Sequence, residues 1–258
     1  MLKYPVYIPS KGRAGLATTP NLLGGLQPIL AVEAPEADAY KGAFPHADIL
    51  ALDPVRDRGV QRARQACLEH ARRLGVKAHW QLDDDLTRFC RVENRRARDC
   101  FAVDALAYGE GIMDAYARVG MVGYNTREYA WGARKAWDWN RFGARCVLIN
   151  TTTGIDYDPG LFLAEDLVFW LAHVEAFWRT VKVNAYGITT QAVSGELEGG
   201  CSDVYSTENA NRCGKAAAAR MSRFLEFLPL KPGQVIGWSR IRYDAIDAHL
   251  AKFGQKEE

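Results

Sequence analysis

Three consecutive aspartates, Asp83, Asp84 and Asp85, follow the apolar segment "AHWQL" at residues 78–82. Adjacent carboxylates repel, so the run needs a reason. A turn or helix cap would use one Asp. A magnesium or manganese ion would use several, because hard cations take oxygen ligands and share them with phosphates. If the strand geometry persists, Asp83 and Asp85 point the same way. A second pair, Glu165 and Asp166, sits among Leu163, Leu167, Phe169 and Trp170. Burial there would raise a carboxylate's pKa and suit it to general-base work. An acidic start to a helix, near the positive end of its dipole, is the alternative. In "PSKGRAG", Ser10, Lys11 and Arg13 could contact phosphate, and Gly12 and Gly15 let a backbone come close. The loop is neither a Walker motif nor G-x-G-x-x-G, and a basic turn explains it equally. "RDRGVQRAR" places Arg58, Arg62 and Arg64 around a helix start, a favourable spot for anions.

These residues must be held by elements. "VYIPS" (6–10), "PILAVE" (28–33), "ADILAL" (47–52) and "AHWQL" read as strands. "GVQRARQACLEHARRLG" (59–75) reads as a helix, with an apolar stripe of Val60, Ala63, Cys67, Ala71 and Leu74. Strands alternating with helices predict an α/β sheet with parallel strands, whose ligands gather beyond the carboxyl ends. The aspartates stand at such an end. Further along, "ARVGMVGY", "RCVLINT" and "VNAYGITTQAV" read as strands, and "LAEDLVFWLAHVEAFWRT" as a helix. The tail from Gly199 to Gly214 reads as a polar loop and "KAAAARMSRFLEFL" as a helix ended by Pro229 and Pro232. No repeat or linker divides the chain, so one domain over 1–258 is expected, with halves at 1–90 and 91–258.

Composition bounds the rest. The 258 residues carry a formal net charge of +2, which announces no polyanion partner. Arginine, with 23 copies against 10 lysines, favours bidentate phosphate contacts. Six scattered cysteines without a C-x-x-C pair offer little for zinc and suit reduced thiols in the cytoplasm. No apolar run reaches membrane-spanning length and no signal peptide is expected.

In order and spacing, the motifs resemble glycosyltransferases of the GT-A fold. "VYIPSKGR" resembles that family's nucleotide-binding strand and loop, Gly59 to Arg64 its G-x-x-x-A-R helix, Asp83 to Asp85 its D-x-D, and Glu165-Asp166 its acidic pair at a helix start. The resemblance spans about residues 6–177. More narrowly, the compact chain is similar to the TET/JBP-associated glycosyltransferases of bacteriophages. That resemblance implies a Rossmann-like, mixed and mostly parallel sheet flanked by helices. It implies metal-dependent, inverting transfer of a sugar to 5-hydroxymethylcytosine in DNA, in the cytoplasm of an infected bacterium. The donor would be a UDP-sugar such as UDP-glucose or UDP-GlcNAc, held with Mn2+ or Mg2+. Asp83 and Asp85 would hold the metal. Pro9, Ser10, Lys11, Arg13, Glu33, Arg58, Arg64, Asp83 and Asp84 would bind the nucleotide sugar. Asp166, or else Glu165, would deprotonate the acceptor. His173, Asp203 and His249 are candidates for the further metal ligand many relatives supply. Ser202, Asp203 and Tyr205 are candidates for a lid.

Enzymes that act on bases reach them with basic contacts and aromatic stacking. "RFCRVENRRAR" has five arginines against one glutamate, and residues 124–145 interleave aromatic with basic side chains. Arg95, Arg96, Trp131 and Trp137 are the expected acceptor contacts. A glycan or protein acceptor, a nucleotidyltransferase, a non-catalytic relative, or plain aromatic packing are the alternatives.

Overall fold

The computed structural model describes residues 2–54, 59–191, 198–200, 202, 204–234 and 239–254. The first half contains β1 (Val6–Pro9), α1 (Thr19–Leu22), β2 (Ile29–Glu33), α2 (Ala37–Ala43), β3 (Asp48–Leu52), α3 (Gln61–Arg73), β4 (Ala78–Leu82), β5 (Leu86–Glu93), β6 (Arg96–Cys100) and α4 (Ala102–Ala115). The second contains β7 (Val119–Thr126), α5 (Arg127–Ala130), β8 (Trp137–Trp139), β9 (Ala144–Asn150), α6 (Glu165–Glu175), β10 (Arg179–Thr190), α7 (Thr207–Arg220), β11 (Leu225–Phe227), β12 (Ser239–Ile241) and α8 (Tyr243–Gly254).

Among the described residues, ten strands form one sheet in the order β3-β2-β1-β4-β9-β7-β10-β5-β6, with β8 also on β10. β3, β2, β1 and β4 are mutually parallel, and β10 is parallel to β7. β9 runs antiparallel between β4 and β7, so β7 and β10 point the same way as β4. β5 and β8 are antiparallel to β10, and β6 turns back along β5. The sheet is thus mixed and mostly parallel, with helices on both faces. In β9 the alternation is direct: Cys146 and Leu148 join the core with Trp80, Leu106 and Tyr124, while Val147 and Ile149 join Leu171, Trp170 and Phe224 on the other face. A smaller cluster of Tyr7, Ala31, Cys67 and Ala71 seats α3. No described helix is long and apolar enough to cross a membrane.

Several segments differ from their sequence reading. β4 ends at Leu82 and the three aspartates lie in the turn beyond it, so strand alternation does not orient them. The basic segment after them, which carries no element in the sequence reading, is a β-hairpin, β5–β6. The carboxyl-terminal helix begins at Thr207, inside the expected loop, because the Ser206 side chain caps it by accepting from the Asn209 N–H at 3.1 Å. That helix stops at Arg220, well before the prolines, and Leu225–Phe227 pairs with β12 instead. α6 stops at Glu175; Phe177 takes a left-handed φ of 60°, and the chain re-enters the sheet at Arg179. Residues 192–193 of the strand expected there lie outside the described residues.

Candidate active site

The cavity that matters opens at the carboxyl ends of β1, β2, β3 and β4, where Pro9, Glu33, Asp53 and Asp83 stand. It has a volume of about 420 Å³, in the range of small-molecule sites. β9 is antiparallel, so its first residues, Ala144 and Arg145, come to the same edge. The start of α6 closes the far wall with Ala164, Glu165 and Asp166. Ala164 holds a left-handed φ of 68°, an unfavourable conformation for a residue with a Cβ. It turns the chain sharply enough to aim the acidic pair inward.

The aspartates have three different jobs. Asp83 accepts from Arg64 Nη2 at 2.7 Å. Asp84 is buried and accepts from Ser10 Oγ and from Arg13 Nη1, the latter at 2.8 Å. Asp85 keeps a buried Oδ1 with no hydrogen-bond partner among the described residues. Burial, with Asp83 and Asp84 close by, pushes its pKa up to about 6 against the pull of Arg145 and Arg13. Burial also raises Asp84, opposed by Ser10 and Arg13.

Arg64 joins the two acidic groups. Its guanidinium is buried and reaches Glu165 Oε1 through Nε at 3.3 Å as well as Asp83. Burial opposes its charge, but Asp83, Tyr157, Glu165 and Asp166 keep it firmly protonated. Its backbone carbonyl accepts from Gln81 Nε2 at 2.9 Å, and Gln81 accepts from the Tyr157 hydroxyl at 3.1 Å. Burial raises the pKa of both Glu165 and Asp166, with Arg64 opposing. Glu165 is the more enclosed and is committed to Arg64. Asp166 is less enclosed, and its Oδ1 accepts from the Leu167 N–H at 2.7 Å.

On the opposite wall the β1 loop is strapped down. Arg13 N–H donates to Tyr40 Oη at 2.9 Å, and its guanidinium donates to the carbonyls of Glu198 and Gly199. Gly200 N–H donates to the Lys11 carbonyl at 2.7 Å. A Cβ on Gly199 would sit 2.8 Å from the Gly12 carbonyl oxygen, so the two segments meet backbone to backbone.

A family model for TET-associated glycosyltransferases matches residues 4–199. The chain belongs to that family. No curated protein matches it by sequence. By structure it is similar to Mycobacterium tuberculosis glucosyl-3-phosphoglycerate synthase in complex with Mg2+ and UDP, at 12% identity and a TM-score of 0.56, covering 94% of this chain and 91% of that one. It is also similar to Staphylococcus aureus TarS 1-349 in complex with UDP, at 12% identity and a TM-score of 0.51, covering 98% and 70%. These likenesses establish the GT-A fold, and the family makes the protein a glycosyltransferase.

In this glycosyltransferase, Pro9, Ser10, Lys11, Arg13, Glu33, Arg64, Asp83, Asp84, Asp85, Glu165 and Asp166 converge on the one cavity. Arg58 lies outside the described residues, as does Asp203. Arg95 and Arg96 stand on the β5–β6 hairpin, away from the cavity lining. Trp131 is half exposed beyond α5, whereas Trp137 packs beside Tyr108 and Tyr116 at the edge of the core. His173 is wholly buried and bonded to the Phe169 carbonyl, and His249 stacks on Phe177, so neither reaches the aspartates. Tyr205 lines the cavity; Ser202 does not. Asp53 lines it with no expectation from the sequence, and Arg145, expected only as part of the basic–aromatic segment 124–145, lines it too. Glu33 came from the family resemblance; the strand-end rule applied to the three aspartates would have pointed to Asp53, just after β3, as well. Arg145 depends on the direction of β9, which no local pattern encodes.

Proposed function

We propose that the protein is a metal-dependent, inverting transferase that moves a sugar from a UDP-sugar, such as UDP-glucose or UDP-GlcNAc, to the hydroxyl of 5-hydroxymethylcytosine in DNA. On this reading it works in the cytoplasm of a phage-infected bacterium. The observation that carries the reading is the buried oxygen of Asp85, unpartnered among the described residues, in the same cavity as Asp166.

The donor set fits a divalent cation. The described lining of the cavity carries seven carboxylates against five basic side chains, so a diphosphate there needs added positive charge. Among the described residues, no three His, Cys, Asp or Glu side chains are grouped so as to hold a metal ion by themselves. Magnesium or manganese needs only one or two carboxylates and completes its shell with water and substrate phosphates. Asp85, with the second oxygen of Asp83, would hold the ion. Bound there, it would act as a Lewis acid on the leaving diphosphate. The UDP complexes of the M. tuberculosis enzyme with Mg2+ and with Mn2+ support this assignment by analogy of fold.

The chain's own groups would do the rest. Glu33 and Asp53 would accept from donor hydroxyls, and Lys11, Arg62 and Arg145 would balance the diphosphate. Arg64 holds Glu165 and Asp83 together and would keep the base at a fixed distance from the donor. Asp166 would take the proton of the acceptor hydroxyl as its oxygen bonds to the anomeric carbon and the bond to UDP breaks. Half-exposed Trp131 would stack on the acceptor.

The test is mass analysis of nucleosides after incubating 5-hydroxymethylcytosine DNA with the protein, manganese and a panel of nucleotide sugars. A gain of one hexose or N-acetylhexosamine is expected, and it should disappear with chelator. Donor hydrolysis without gain would shift the acceptor to a glycan, protein or small molecule. Neither would leave the non-catalytic reading.

A further inference from the structure

The β5–β6 hairpin is the outer edge of the sheet and begins immediately after Asp85. Its arginines stand at costly places. Arg91 is paired directly with Arg98 across the ladder, and both are exposed. Like charges in that register destabilise a hairpin. The two-residue turn between Glu93 and Arg96 holds Asn94 at φ 50° and Arg95 at φ 59°. Such turns favour Asn then Gly; Asn94 conforms and Arg95 does not. Arg88 and Arg96 complete five arginines, against which the hairpin sets Glu93 and Asp99. Those two carboxylates pair with Arg91 at 3.0 Å and Arg88 at 3.5 Å, leaving a net charge of +3 on the hairpin.

Edge protection alone does not account for this. Alternating signs would guard an edge strand as well, with Gly in the turn and no facing arginines. A polyanion laid along the hairpin turns both costs into binding. The strand from Leu86 to Glu93 spans ~24 Å at ~3.4 Å per residue. That is the length of roughly seven steps of duplex DNA. The end nearest the cavity is anchored there, since Leu86 pairs with Thr190, whose hydroxyl accepts from Arg145 of the cavity wall.

We propose that the β5–β6 hairpin is a phosphate rail for duplex DNA, with Arg91, Arg95, Arg96 and Arg98 gripping the backbone beside the transfer site. This rests on the reading of DNA as acceptor, whose base the cavity would receive. Trp131 would serve the base; the rail would serve the strand.

The experiment measures anisotropy of a labelled 20-base-pair duplex containing 5-hydroxymethylcytosine, across salt concentrations and with no sugar donor. Wild type is compared with R91Q/R98Q and with R95G. Each variant should bind several-fold more weakly, and the log–log salt slope should fall by about one per arginine removed. The melting temperature of R95G should stay equal or rise, because Gly suits the left-handed turn position. Unchanged affinity and slope in both variants would overturn the rail. So would a loss of binding that appears only with a matching fall in melting temperature. Binding is read apart from transfer: a wild-type chain that grips duplex through these arginines but adds no sugar supports the rail and overturns the acceptor reading. Sugar addition to DNA with both variants binding like wild type overturns the rail alone.

Discussion

At the scale of single residues, the site trades stability for chemistry. The folded-state pKa of Asp85 lies near 6, above its ordinary value, because its charge is buried beside two other carboxylates. A raised carboxylate destabilises the fold at every pH above that value and ceases to do so below the unfolded pKa near 3.8. Asp85→Asn should therefore stabilise the metal-free protein at pH 7 by roughly 2–3 kcal/mol, an advantage that vanishes toward pH 4. Denaturant midpoints at the two pH values check it, and the same variant should lose metal-stimulated transfer. Asp166 is the proposed base. Asp166→Asn should lower kcat by about 10²–10⁴ while leaving donor binding nearly intact. Because burial raises the Asp166 pKa, the acidic limb of the wild-type pH–rate profile should lie above the ordinary aspartate range. A limb at or below pH 4 would remove it as the base.

Elements set the distances between those residues, and two close approaches do most of it. Gly59 precedes α3, and a Cβ there would fall into the Phe162 carbonyl. The start of the helix carrying Arg64 is thereby pressed against the segment that carries Glu165 and Asp166. Gly199 and Gly12 meet in the same way on the opposite wall. Gly59→Ala should force its two segments apart, costing about 1–3 kcal/mol and a larger share of kcat than of donor affinity. Melting and steady-state kinetics on one preparation would show it; a wild-type kcat would mean the approach positions nothing. α3 and β4 were legible from their apolar spacing and from Gly75, which stops the helix in a left-handed turn at φ 68°, although of the expected stripe only Cys67 and Ala71 are buried, Leu74 is exposed and Leu68 is buried instead. The hairpin was not, because its burial follows no simple alternation: Phe89 and Cys90 are both buried, between exposed Arg88 and Arg91. The early start of α7 was hidden in the same way: its first turns are polar, and the signal lay in the Ser206 cap.

Across the whole molecule, acid stability sets the core against the site. Burial lowers His79 to about 3 and His173 to about 4. Both stay neutral when folded, while the unfolded chain protonates them below about 6.5. Each therefore contributes full stability above pH 6.5 and loses it as pH falls toward its folded value. The raised site carboxylates act in the opposite sense. The histidine contribution is isolated by comparing wild type with His173→Asn: the stability gap should shift in favour of the variant by ~1.4 kcal/mol per pH unit between pH 6.5 and 4. A constant gap would mean that His173 is not held neutral. Residue types and their spacing limit which chemistry is possible. Carboxylates after one strand, an arginine on the helix before it and an acidic pair in an apolar setting are local facts, legible from residue type and spacing. Tertiary structure alone decided how the work is divided. Nothing local says that Asp84 faces Ser10 and Arg13, that Asp85 keeps an unpartnered oxygen, or that Arg64 bridges Asp83 to Glu165. Those pairings join residues far apart in the chain, and they follow from strand order and the reversed direction of β9, which only the packed sheet specifies.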